Sequence, residues 1–167
     1  ILCILTLTFV FGTAYGKINA EYMKNIRMDG TTASTYIEEG TKQQYEKVCS
    51  LGYVKETGRR MKMGETDICS VQVLDRTAWE KMMKPAYTGI HGTYPEKQQE
   101  IMLPVKTLKK LGINNPKRGM KIALDVSIIF FQTEKEEFKL SGWYSAYTDD
   151  NGRSKAIGYV SEKKLKD

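Results

Sequence analysis

The sequence predicts an α+β fold: a mostly antiparallel or mixed sheet with short helices, preceded by one long N-terminal helix. Three observations carry that prediction. From Met120 to Phe131, Ile122, Leu124, Val126, Ile128 and Phe130 alternate with Lys121, Ala123, Asp125, Ser127 and Ile129, the period of two that buries one face of a strand. The stretch Gly89–Gly112 reads as loop, strand and helix in succession. The remaining segments follow the order strand, helix, strands, helix, before that unit and strands after it. Three regions are expected: residues 1–16, the stalk 17–29, and a folded domain over 30–167.

Residues 1–16 carry no charge. They fall short of the roughly 20 residues needed to span a bilayer. The start at Ile1 without methionine points to a piece of something longer, so the segment is expected to be the outer end of a transmembrane helix. Tyr15 and Tyr22 suit an interfacial belt, and Lys17 marks the exit into water. The alternative is the apolar region of a signal peptide, with Ala14-Tyr15-Gly16 as its cleavage site. Residues 17–29 continue as a helix, with Ile18, Tyr22, Met23 and Ile26 on one side, ending near Asp29-Gly30.

Thr31–Ile37 reads as a β-branched strand. Thr41-Lys42-Gln43-Gln44 has the form of a capping box, so 42–50 should be a short amphipathic helix with Tyr45, Val48 and Cys49 on one face. Tyr53–Met63 and Ile68–Leu74 follow as strands about a turn at Gly64–Asp67. Thr77-Ala78-Trp79-Glu80 repeats the capping form and starts a helix stopped by Pro85. Gly89, Gly92 and Pro95 favour a loop, and Glu100–Leu103 a strand. Pro104 is then expected as the first residue of a helix with Val105, Leu108 and Leu111 inward and Gly112 as its stop. After the 120–131 strand come a polar turn at Thr133–Glu136, a strand at Phe138–Thr148, and a hairpin at Asp149-Asp150-Asn151-Gly152. A strand at Lys155–Val160 and a helix capped by Ser161 complete the chain.

The composition, 41% hydrophobic and 28% charged, excludes a disordered chain. The net charge of +6 is scattered along the sequence, apart from Arg59-Arg60 with Lys62 and Lys163-Lys164 with Lys166. Nucleic-acid binding needs clustered basic groups with aromatic platforms and is not expected. An anionic membrane or cell-wall surface suits a diffuse positive charge better. Beyond Cys3 in the apolar leader, Cys49 and Cys69 fit no metal site. They would form a disulfide in an oxidising compartment or stay as two buried thiols, the reading the sequence favours.

No catalytic set stands out. His91, the single histidine, lies between glycines and reads as a loop residue. Its Gly-Ile-His-Gly context imitates the clamp of a KH domain but does not join two helices. Asp149–Gly152 lacks the ligand spacing of a calcium loop. Glu134, Glu136 and Glu137 are expected as solvated charges at a turn, Trp79 and Trp143 as core or rim, and the eight methionines as core filling. No phosphate-cradling Gly-Lys-Ser/Thr motif exists, so this chain holds no nucleotide by that route.

Gly92-Thr93-Tyr94-Pro95, Glu100-Ile101-Met102-Leu103 and Leu111-Gly112 together resemble the extracytoplasmic, MacB-like core domain of FtsX-like ABC transporter permeases. Tyr36–Lys47, Phe138–Tyr144 and Tyr159–Glu162 extend the resemblance over nearly the whole chain, and Gly89-Ile90-His91 departs from it. The resemblance implies a non-catalytic domain on the outer side of the cell membrane, coupling a separate ATPase to export or to extracytoplasmic partners. It implies no cofactor in this chain, with ATP on the other subunit. Its implied partners are the ABC ATPase, a second permease copy or subunit, the membrane, and an extracytoplasmic substrate or protein. Gly92, Pro95, Glu100, Ile101, Leu103 and Gly112 then have structural roles. The alternative is a secreted or membrane-anchored binding module working alone, with 1–16 as signal sequence; an enzyme built around His91 ranks third.

Overall fold

The computed structural model describes residues 2–129, 132–146 and 156–166. Its first element, α1 (Leu2–Asp29), is one unbroken helix. It ends at Gly30, whose φ of 65° is the left-handed conformation that closes helices. Residues 3–22 are exposed, and buried Ile26 with half-buried Met23 packs the end of the helix against the domain. Ile18 and Tyr22, expected on the same side as Ile26, are exposed because the domain covers only the end of α1. Among the described residues no helix is long and apolar enough to cross a membrane.

Thr31–Ile37 forms no strand; it is irregular, with a bend at Ser34, and Thr31 and Thr32 are bonded elsewhere. In α2 (Lys42–Cys49) the expected capping box is present: Gln44 N–H donates to Thr41 Oγ1 at 3.2 Å and Thr41 N–H to Gln44 Oε1 at 2.8 Å. None of its residues is buried. Strand β1 covers only Arg60–Glu65, shorter than expected, because the chain before it turns at Leu51–Val54 and stays irregular. Strand β2 (Cys69–Leu74) follows. The next helix, a π-type segment at Ala78–Met83 tightening to 3₁₀ at Lys84–Ala86, is capped by Asp75 rather than Thr77. Thr77 already has helical angles, too far in to act as the cap, whereas the Asp75 carboxylate accepts from Ala78 N–H at 2.8 Å.

Gly89 and His91 lie in a strand, β3 (Tyr87–Gly92), not in a loop. Strand β4 (Glu100–Pro104) leads into α3 (Val105–Lys110), where Pro104 is the extended cap rather than the first helical residue. Strand β5 (Lys121–Ile129) keeps the predicted alternation, with Ile122, Leu124 and Val126 buried. Strand β6 (Gln132–Ala146) runs straight through the expected turn at Thr133–Glu136, since those residues pair with Leu124–Ser127 across the sheet. Strand β7 (Ala156–Val160) precedes a 3₁₀ turn, Glu162–Lys166, capped by Ser161. Phe130, Phe131 and the Asp149–Gly152 turn lie outside the described residues. The strands flanking that turn are not hairpin partners: β4 stands between β6 and β7. Local turn chemistry cannot foresee that another strand already occupies the edge of β6.

The strands are ordered β3-β6-β4-β7-β2-β1-β5, and β5 pairs back onto β6. Six of them therefore close into a barrel, with β3 added outside. Pairing is mixed, parallel between β2 and β7 and between β4 and β6. The length of β6 makes closure possible: its first half pairs with β5, its second with β3 and β4. Closure is completed by a single pair, Glu65 with Ser127. Next to it Gly64 is required, since a Cβ there would lie 2.8 Å from Val126 Cγ1 and 2.9 Å from Ser127 O.

Alternation sorts the apolar residues into two cores. Val71 and Val73, Ile101 and Leu103, Ile122, Leu124 and Val126, and Phe138 and Leu140 fill the barrel, with Leu108 of α3 packed among them. Each contributes about 1.5–3 kcal/mol of burial. Leu74, Met102, Tyr144 and Tyr159 point outward and form the second core with Trp79, Met83, Tyr87 and Ile26.

Candidate functional site

The second core is where the long helix meets the domain. Ile26 packs into it, and the chain just beyond is fastened to the end of the Ala78–Met83 segment. Thr32 N–H donates to Met82 C=O at 2.8 Å, Thr32 Oγ1 to Lys81 C=O at 3.0 Å, and Thr31 Oγ1 to Met82 C=O at 3.2 Å. The last carbonyls of a helix have no partner within it. Here the residues leaving α1 supply one, so helix end is tied to helix end.

Behind this joint lies a cluster of rings. Tyr87 stacks on Tyr144 with centroids 4.1 Å apart, Trp79 lies 4.9 Å from Tyr94, and Trp79 meets Tyr159 edge-on at 5.6 Å. Such pairs contribute about 0.5–1.5 kcal/mol each beyond their buried area. The hydroxyls are satisfied internally. Tyr87 and Tyr159 share a hydrogen bond, and Tyr144 donates to Ile157 C=O at 2.6 Å. Tyr94 Oη accepts from Leu74 N–H at 2.8 Å and lies 3.2 Å from Leu74 C=O. Burial pushes the Tyr87 and Tyr94 phenols up to about 12, and those of Tyr144 and Tyr159 well above their ordinary value. The cluster is therefore uncharged at neutral pH. It joins β2, β3, β6, β7 and the 93–99 loop around the foot of α1, a packing device rather than a proton path.

The residues singled out from the sequence occupy structural positions beside this joint, inside the barrel and at the end of α3. Gly92, with φ of 80°, crosses β6 so closely that a Cβ would lie 2.2 Å from Ser141 O. Pro95 is buried in the loop that Tyr94 staples into the second core. The Glu100 carboxylate closes that loop, accepting from Glu96 N–H at 3.0 Å and Lys97 N–H at 3.1 Å. Partial burial opposes its charge, but those two donors outweigh it and hold the carboxyl below its ordinary range. Ile101 and Leu103 are fully buried in the barrel. Gly112, with φ of 77°, ends α3 in a Schellman motif: Ile113 N–H bonds Leu108 C=O at 2.9 Å and Gly112 N–H bonds Lys109 C=O at 3.0 Å.

Other candidates lie apart. Cys69 is buried beside the Thr66 hydroxyl, and burial raises its thiol. Cys49 is exposed on α2, its Sγ 3.2 Å from Thr57 Oγ1, so the expectation of two buried thiols holds for Cys69 alone; both are free. His91 is exposed on β3, its ring 5.3 Å from that of Trp143. Glu137 pairs with Lys121 at 2.8 Å, and Glu136 with Lys164, whose ammonium lies over the Phe138 ring. These are strand and barrel-end ion pairs rather than turn charges. Sequence reasoning missed the tyrosine cluster, the Asp75 cap and the Thr31–Thr32 fastening. The ten tyrosines were visible, but only the strand register turns Tyr87, Tyr144 and Tyr159 to one face, and only the path of the 93–99 loop brings Tyr94 to them. No family model matches the chain, and neither does any curated protein.

Proposed function

We propose that the chain is the extracytoplasmic domain of an ABC transporter permease, a membrane-tethered coupler that carries movement between a bilayer and partners outside it. The observation that carries this reading is α1. It is one continuous helix whose first half is uncharged, largely apolar and exposed, with Phe9 and Phe11 at 71% and 70%. So much exposed apolar surface calls for an apolar covering, which on this reading is lipid at the membrane surface. The same helix ends in Ile26 and the Thr31–Thr32 fastening, so a tilt or rotation of its first half reaches a close-packed aromatic core. Packed interiors transmit such displacements because they compress little.

The finer assignment to the FtsX-like class is supported by the motif resemblance, several of whose residues (Gly92, Pro95, Ile101 and Leu103) occupy fold-defining positions. ATP hydrolysis belongs to a separate subunit on this reading. The parent protein, purified from membranes in mild detergent, is expected to bring an ATPase with it whose turnover responds to changes at the α1 joint. A lone protein whose N-terminal segment has been cleaved off would overturn the reading in favour of a free-standing binding module.

A further inference from the structure

The formal net charge of +6 is 26 Lys and Arg against 20 Asp and Glu. Residues 101–121 hold Lys106, Lys109, Lys110, Lys117, Arg118 and Lys121 and no acid, so the rest of the chain balances at 20 against 20. The whole excess thus sits on α3, the loop that follows it and the first residue of β5. Thr107 and Leu108 face inward and are buried, while Lys106, Lys109 and Lys110, spaced three and four apart, share the exposed side. Leu111, Ile113 and Met120 hold the loop on the same barrel core, with Lys117 and Arg118 exposed upon it. Arg118 reaches Thr93 Oγ1 at 3.2 Å, and Lys121 pairs with Glu137. The nearby Glu100 carboxylate is engaged by backbone donors.

We infer that this lysine face docks on anionic lipid headgroups of the membrane that holds α1; the inference rests on the tether just proposed. Five of the six cations are lysines, point charges suited to many phosphates rather than to one bidentate partner. No aromatic residue stands among them to stack bases, which disfavours nucleic acid. The tether raises the effective concentration of lipid phosphate, since only about 20 Å of helix separates Gly16 from Asp29.

The test uses the full chain, sedimented with vesicles of phosphatidylcholine alone or mixed with phosphatidylglycerol. Wild type is expected to bind the anionic vesicles at least about tenfold more tightly than the neutral ones, from a few-fold per lysine. The preference should vanish in molar salt, where screening acts within about 3 Å. K106Q/K109Q/K110Q should lose it and K106R/K109R/K110R should keep it, the second variant showing that charge rather than folding is read. Equal binding to both vesicles, or a preference unchanged in the glutamine variant, overturns the inference. So does competition by soluble polyglutamate without any lipid preference, which would mean an acidic protein partner. Salt-sensitive binding to anionic vesicles with none to neutral ones supports the lysine face while refuting the tether.

Discussion

Raising the pH above 10 should unfold this domain through its tyrosines. Tyr87 has a pKa of about 12 in the folded state against the ordinary 10. A group whose pKa is raised by folding stabilises the fold fully below its unfolded value and loses that contribution as pH rises through the folded one. For Tyr87 the loss between pH 10 and 12 is about 3 kcal/mol, at roughly 1.4 kcal/mol per pH unit. Tyr94 has a similar value but is only partly buried, and about half as much is assigned to it. Tyr144 and Tyr159 act in the same direction. Together Tyr87 and Tyr94 account for about 4 kcal/mol, a large share of a typical domain stability of 5–15 kcal/mol. Urea titrations at steps from neutral pH to pH 12, followed by circular dichroism with tyrosinate absorbance in parallel, measure this. Tyr87→Phe removes this phenol along with its hydrogen bond to Tyr159, and its stability should fall by about 3 kcal/mol less over the interval. Ionisation of the buried phenols near pH 10 with the fold intact, or identical pH slopes for wild type and variant, would refute the reasoning.

Three further outcomes are expected. Gly92→Ala meets Ser141 O at 2.2 Å as well as an unfavourable φ, and should cost about 3 kcal/mol or more, whereas Gly112→Ala, with open space around it, should cost about 1–2 kcal/mol in urea midpoints. Asp75→Ala should destabilise by about 1 kcal/mol or more, because it also loses the Arg59 N–H, while Thr77→Ala should stay within about 0.5 kcal/mol; equal losses would return the cap to Thr77. Ala20→Pro, in the exposed span of α1, should leave the urea midpoint of the domain unchanged while uncoupling ATP hydrolysis from transport in the parent protein, and unchanged transport would count against the coupling role.

Elements governed by neighbours in sequence were legible. The alternation over 121–127, the Thr41–Gln44 capping box, the stop at Gly112, and the continuity of α1 to Asp29 all depend on contacts within a few residues. The same logic failed wherever a distant segment competed. Thr31–Ile37 has strand-forming residues, yet its first two bond the end of a helix some fifty residues away. The Asp149–Gly152 turn signal was read as a hairpin, but β4 separates the strands on either side. Thr77 fits a capping pattern as well as Asp75 does, and only the helix start decides between them.

By itself, then, the sequence determined the fold class, the barrel-facing residues of β5, the long helix with its apolar half, and the glycines and proline of the motif. These follow from periodicity and backbone sterics, which act locally. Tertiary structure decided that the strands close into a barrel and that Tyr87, Tyr94, Tyr144 and Tyr159 meet at the foot of α1. Such placements depend on which strand takes which edge and on which face a register turns outward. A single-residue slip reverses that face, so no local pattern encodes it.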